Sequence, residues 1–138
     1  MDAAARYAFD LAFQNLVKVT VVSHPAFLEI PKDFMVNALN IDFRMQPYDL
    51  PHQKYKELSN APLLINSCTI DKRFPHDAQV KADEIIGGGN QYTDTYRREY
   101  FEGCTHGFAV RGDLSDPKVK AGKEGSFEAS VKFFNRFL

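Results

Sequence analysis

The chain has 138 residues, 44% hydrophobic and 25% charged, which is the composition of one ordinary globular domain. Its 17 basic and 18 acidic residues are mixed along the sequence and leave a net charge of −1, so no basic stripe offers a footing to a nucleic-acid backbone. No apolar run approaches the roughly 18 residues that a membrane-spanning helix needs, which excludes a membrane partner of that kind.

Residues 3–16 are expected to form a helix, because Ala4, Ala8, Leu11, Ala12 and Val17 recur at the spacing of one helix face. Arg6 and Asp10 interrupt the apolar character there, so the start does not read as a signal peptide. Val19-Thr20-Val21-Val22 is a short β-branched strand, ended by the turn Ser23-His24-Pro25. Residues 33–52 break the rhythm: polar side chains are scattered through them and Pro47 and Pro51 interrupt any long element. Residues 61–66 form a second buried strand with Pro62 near its start. Residues 77–86 form a helix with Val80, Ile85 and Ile86 apolar, and Gly87-Gly88-Gly89 stops it. Residues 96–101 alternate and form a third strand, and residues 127–138 form a closing helix with Val131, Phe133, Phe134 and Leu138 inward.

Continuous apolar strands separated by helices predict an α/β fold: a parallel sheet of about three strands flanked by helices. So small a sheet leaves the first strand, residues 19–22, with an uncovered edge, through which a homo-oligomer would form. Twelve Phe and six Tyr without a single Trp supply the core.

Reactive side chains gather just past two strand ends. Cys68-Thr69-Ile70-Asp71 follows the second strand, and Gly103-Cys104-Thr105-His106-Gly107-Phe108 follows the third. Open parallel sheets build their sites outside the carboxyl ends of the strands, so neighbouring strands bring Asp71 and His106 together across 35 residues of chain (106 − 71). A carboxylate against an imidazole nitrogen fixes the tautomer, as a catalytic triad requires, and an acid that precedes its histidine follows the α/β-hydrolase chain order.

The run from Tyr100 to Asp113 around His106 resembles the catalytic-histidine segment of fungal dienelactone hydrolase family proteins. The run from Ala61 to Asp71, with Phe74-Pro75, is similar to that family's acid strand; Ser23-His24-Pro25 and residues 120–138 match its preceding turn and closing helix. The resemblance covers nearly the whole chain outside residues 33–52. It implies a partial α/β-hydrolase domain over residues 1–138, with residues 33–52 as an irregular insertion. The implied activity is hydrolysis of a small-molecule ester or lactone. Asp71 would orient His106, His106 would activate a nucleophile, and Arg111 would meet a substrate carboxylate.

Two departures accompany the likeness. Ala5-Arg6-Tyr7 matches the tripeptide that trails the family's nucleophile turn, which puts Asp2 at the nucleophile position and Ala4 at that of a turn glycine. A carboxylate is no substitute for a thiolate in acyl transfer, so the chain is expected to be weakly active or inactive alone. Residues 33–52 interrupt the family's more direct passage. The alternative is a non-catalytic binding or signalling protein on half a hydrolase fold.

Other reactive residues read more simply. Cys104 shares a loop with its would-be base, Cys68 is expected to be small and buried, and a Cys68–Cys104 pairing is geometrically allowed. Asp71, Cys104 and His106 lack the spacing of metal ligands, and no metal or other cofactor is expected. Gly87-Gly88-Gly89 follows a helix, the wrong context for a phosphate loop. His24 reads as a turn residue, and His52 and His76 as solvated. Two cysteines without a disulfide framework point to a cytoplasmic protein with reduced thiols.

Overall fold

The computed structural model describes residues 4–26, 28, 55 and 58–138. Asp2 and the expected insertion at residues 33–52 lie outside the described residues.

The sheet is organised by its middle strand, β2 (Leu63–Ile70), whose first six residues are all buried. β1 (Thr20–Ser23) pairs parallel with it on one side and β3 (Tyr96–Thr105) on the other, in the order β1-β2-β3. The helices are α1 (Ala4–Phe13), α2 (His76–Gly87), a short α3 (Phe108–Arg111) and α4 (Pro117–Phe137). The expected parallel three-stranded sheet flanked by helices is therefore present. Among the described residues β1 has a strand neighbour on one side only.

Both faces of the sheet are covered, which is why β2 reads as an apolar run rather than an alternating one. Ala5, Phe9 and Ala12 of α1 and Ala82 and Ile85 of α2 form one cluster with Val22, Leu63, Ile65 and Tyr96. On the other face, Phe133 of α4 packs with Val19 and Leu64, and Val119 with Cys68, Cys104 and Phe108. α4 crosses very close to β3: a Cβ built on Gly122 would lie 2.3 Å from the Cys104 Sγ, so only glycine fits there.

Several boundaries differ from expectation. α1 ends earlier, where Asn15 turns left-handed at φ 54 and its side-chain amide binds the Leu58 carbonyl and the Asn60 N–H. Its inward stripe is rotated, leaving Leu11 43% exposed. α4 begins ten residues before the expected start: Asp116 accepts from the Lys118 N–H at 2.8 Å, and Pro117 opens the helix. Gly122 and Ser126 on its buried face carry no apolar signal. Of the four residues expected inward, Phe133 is buried but Leu138 is 77% exposed, and Val131 and Phe134 are also exposed. Val80 of α2 likewise faces outward, while Gln79 and Asp83 face in.

β3 runs past its expected end through a bulge. Two steps along β2, from Cys68 to Ile70, match four along β3, from Phe101 to Thr105. Gly103 sits inside the irregularity at φ 77 and donates its N–H to the Thr69 hydroxyl at 2.9 Å.

One charged pair is embedded in the α2 side of the sheet. Arg98 of β3 is 2% exposed and meets Asp83 of α2 at 2.6 Å through Nη2, with Nε donating to both carboxylate oxygens. The Tyr96 hydroxyl donates to the same carboxylate, and Nη1 of Arg98 donates to Ser67 and to the Gln79 side-chain carbonyl. Removing one partner of such a pair strands the other charge without water. Asp83→Ala is expected to lower the unfolding free energy by about 3–5 kcal/mol. Urea denaturation checks it; a loss below about 1 kcal/mol, the worth of a surface pair, contradicts this account.

Candidate active site

Asp71 and His106 are each the first residue beyond the carboxyl end of a paired strand. Asp71 follows β2 and is 5% exposed. Its Oδ1 accepts from the backbone N–H groups of Arg73 at 2.9 Å and Phe74 at 3.0 Å, a local turn that holds the carboxylate in place. That local turn coexists with a second contact. Both carboxylate oxygens lie 2.9 Å from Nδ1 of His106. His106 follows β3, and its backbone N–H donates to the Ile70 carbonyl, so its main chain is tied to the end of β2 as well. A carboxylate on Nδ1 keeps the proton there and leaves Nε2 as the nitrogen for proton exchange.

Gln79 closes the loop that carries Asp71. Its buried side-chain amide donates to the Cys68 and Phe74 carbonyls, both at 3.0 Å, so it bridges residues on either side of the acid.

His24 lies beside the pair, although the sequence marks it only as a turn residue. It follows β1, and its ring meets that of His106 edge to face at 5.0 Å. Burial lowers its pKa below the usual histidine value, and the neighbouring His106 lowers it further. The sequence did carry a signal for it: Ser23-His24-Pro25 also follows a strand end on the edge where Asp71 and His106 sit.

Arg111 ends the short α3 helix. It lines a cavity of about 910 Å³ together with Ala4 and Ala5 at the start of α1, His24 after β1, and Lys123 and Phe127 on α4. His76 is exposed, as expected, and His52 falls outside the described residues.

Cys68 lies close to this arrangement, its Sγ 4.0 Å from Asp71 Oδ2. Both cysteines are free and buried, so the geometrically allowed disulfide is not formed. Burial pushes the Cys68 thiol up to about 12, with Asp71 and Cys104 adding to the shift, and burial also raises Cys104. Among the described residues no group of three or more His, Cys, Asp or Glu side chains is placed to hold a metal ion. No helix among them is long and apolar enough to cross a membrane.

Comparison with known proteins places the chain. The model of the dienelactone hydrolase family matches residues 4–138. The hydrolase pyvD of Aspergillus violaceofuscus is 30% identical over 100 residues, covering 72% of this chain and 39% of that protein. The hydrolase tropI of Talaromyces stipitatus is 24% identical over 100 residues, 72% of this chain and 38% of that protein. Dienlactone hydrolase 2 of Gibberella moniliformis is 30% identical over 80 residues, 58% of this chain and 33% of that protein. The chain spans less than two-fifths of the length of any of these curated relatives.

A thiol that is buried and raised in pKa presents little thiolate. At pH 8 both cysteines are therefore expected to resist a small disulfide reagent in the folded chain and to react within minutes in denaturant. Release of the coloured thiolate from Ellman's reagent reads this directly. Rapid modification of either cysteine in the folded state would make that cysteine a nucleophile candidate.

Proposed function

The chain belongs to the dienelactone hydrolase family, and its three-stranded parallel sheet flanked by helices is part of that family's α/β-hydrolase fold; from that premise we propose that it carries the acid and base of an ester- or lactone-hydrolysing site. Asp71 orients His106, His106 is the general base, and Arg111 contacts a carboxylate on the small-molecule substrate. The single observation behind this reading is the double approach of Asp71 to Nδ1 of His106 at 2.9 Å, at adjacent strand ends. In such a site Nε2 of His106 takes the proton of the attacking group and returns it to the leaving oxygen, while Asp71 stabilises the imidazolium in between. The cavity beside it, with Arg111 on its wall and apolar Phe127 nearby, suits a small organic acid ester.

In the proposed domain, residues 1–138 form one partial unit that works without a cofactor in the cytoplasm. Neither cysteine supplies the attacking group, and the family's nucleophile position falls on Asp2. Turnover by this chain alone is therefore weak or absent. Hydrolysis of p-nitrophenyl acetate by the purified chain tests the assignment. Whatever turnover exceeds the buffer rate is expected to fall by about 10² or more in both Asp71→Ala and His106→Ala. Turnover that survives His106→Ala rules out His106 as the base.

A second reading, a binding or signalling protein without catalysis, draws on the one-sided pairing of β1 among the described residues. A bare strand edge invites pairing with another copy of the chain. This reading expects a dimer or larger species at micromolar concentration by light scattering; a clean monomer speaks against it.

A further inference from the structure

The residue after β1 holds an unusual conformation for its type. His24 has φ 40, in the left-handed region that non-glycine residues rarely adopt, and the proline that follows it disfavours helical backbone as well. The conformation is maintained from both sides. The His24 N–H donates to the Asn66 carbonyl of β2 at 2.7 Å, and Pro25 is fully buried. Strain of this kind persists where the surroundings over-determine a geometry, and it is found at functional sites.

That geometry delivers a ring to the catalytic pair. The His24 imidazole lies 5.0 Å from the His106 ring at 68° and 5.7 Å from the Phe108 ring at 69°. Phe108 is itself fully buried and backed by Phe101 at 5.3 Å, so His24 is lodged between a fixed ring and the histidine. Asp71 holds His106 at Nδ1, and a ring packed edge to face against the imidazole restrains its plane.

We propose that His24 is a positioning residue that fixes the ring plane of His106 through this contact. The working part is the aromatic ring rather than its outer nitrogen: Nε2 of His24 is buried and has no hydrogen-bond partner among the described residues. Among the described residues the charged and titratable groups that act on the ring are His106, Asp71 and Arg111. Burial and His106 outweigh Asp71 and lower its pKa, which disfavours a like charge beside His106.

The proposal rests on His106 as the base, so its test includes a readout that needs no turnover. Ring ¹⁵N–¹H spectra of the full chain report the Nδ1–H proton of His106, identified by its loss in His106→Ala. In His24→Ala that resonance is expected to broaden into the baseline as the ring loosens. Where wild-type turnover is measurable, kcat falls by about 10–100-fold with KM little changed, the effect of misplacing a catalytic group by about an ångström. His24→Phe restores a ring of similar shape and is expected to recover the resonance and at least about a third of kcat, since no hydrogen bond is lost. Should His24→Ala fail to fold, His24→Leu fills the space without a ring and is expected to lose the resonance too.

A sharp Nδ1–H resonance in the Ala or Leu variant overturns the proposal, as does a Phe variant as impaired as Ala. A wild-type chain with no turnover but with the expected resonance pattern sinks only the hydrolase assignment and leaves the positioning role standing.

Discussion

A guanidinium sealed from water has to be answered by charge and by hydrogen bonds, and that requirement runs from Arg98 to the candidate site. Arg98 is 2% exposed and forks onto Asp83, Ser67 and Gln79, which fixes α2 against β2 and β3. Gln79 faces two ways. Its carbonyl accepts from Arg98, and its amide donates to the Cys68 and Phe74 carbonyls that flank the Asp71 loop. The Phe74 N–H in turn donates to Asp71. A continuous polar chain thus joins a buried ion pair to the carboxylate facing His106. Every link uses a group that burial would leave costly if unpaired, so the parts hold one another in a single arrangement.

Much of this was legible in the sequence where apolar runs decide the outcome. The parallel sheet, its flanking helices and the meeting of Asp71 with His106 follow from a middle strand buried on both faces and from strands that exit along one edge. What escaped has a physical reason in each case. Arg98 occupies an inward position of β3 that alternation assigns to an apolar residue, and nothing local announces that Asp83, fifteen residues earlier, answers it. The first ten residues of α4 bury Val119, Gly122 and Ser126, a face defined by close approach rather than by hydrophobicity. The end of β3 was hidden by Gly103, which reads as a strand breaker and in fact marks a bulge. His24 looked like punctuation before a proline because ring contacts between strand ends leave no trace in spacing.

Burial raises the pKa of both thiols. Cys68 points toward the α4 side of the sheet, and its thiol lies 4.0 Å from the Asp71 carboxylate, a neighbour that opposes a second negative charge. Cys104 fits beneath Gly122 and leans on the Lys118 carbonyl at 3.5 Å. Both behave as small apolar residues that let α4 approach the sheet closely.

The three side chains of the site come from three successive strand exits, yet β2 lies between β1 and β3, whose backbones are two strand spacings or about 10 Å apart. His24 and His106 nonetheless touch across it. The bulge accounts for the reach. By spending four residues opposite two of β2, β3 turns at its end, and the His106 N–H bonds to Ile70, the last residue of the middle strand. β1 stops lower, at Ser23 opposite Asn66, and the left-handed turn at His24 lifts its ring toward the same place. The acid therefore sits on the best-supported strand, while both rings are brought over it from the edges by two local departures from regular strand geometry, at Gly103 and at His24. A regular β3 would exit beside β2 rather than over it. The shift is an even number of residues, so the bulge moves the exit of β3 toward β2 without turning its later side chains to the opposite face.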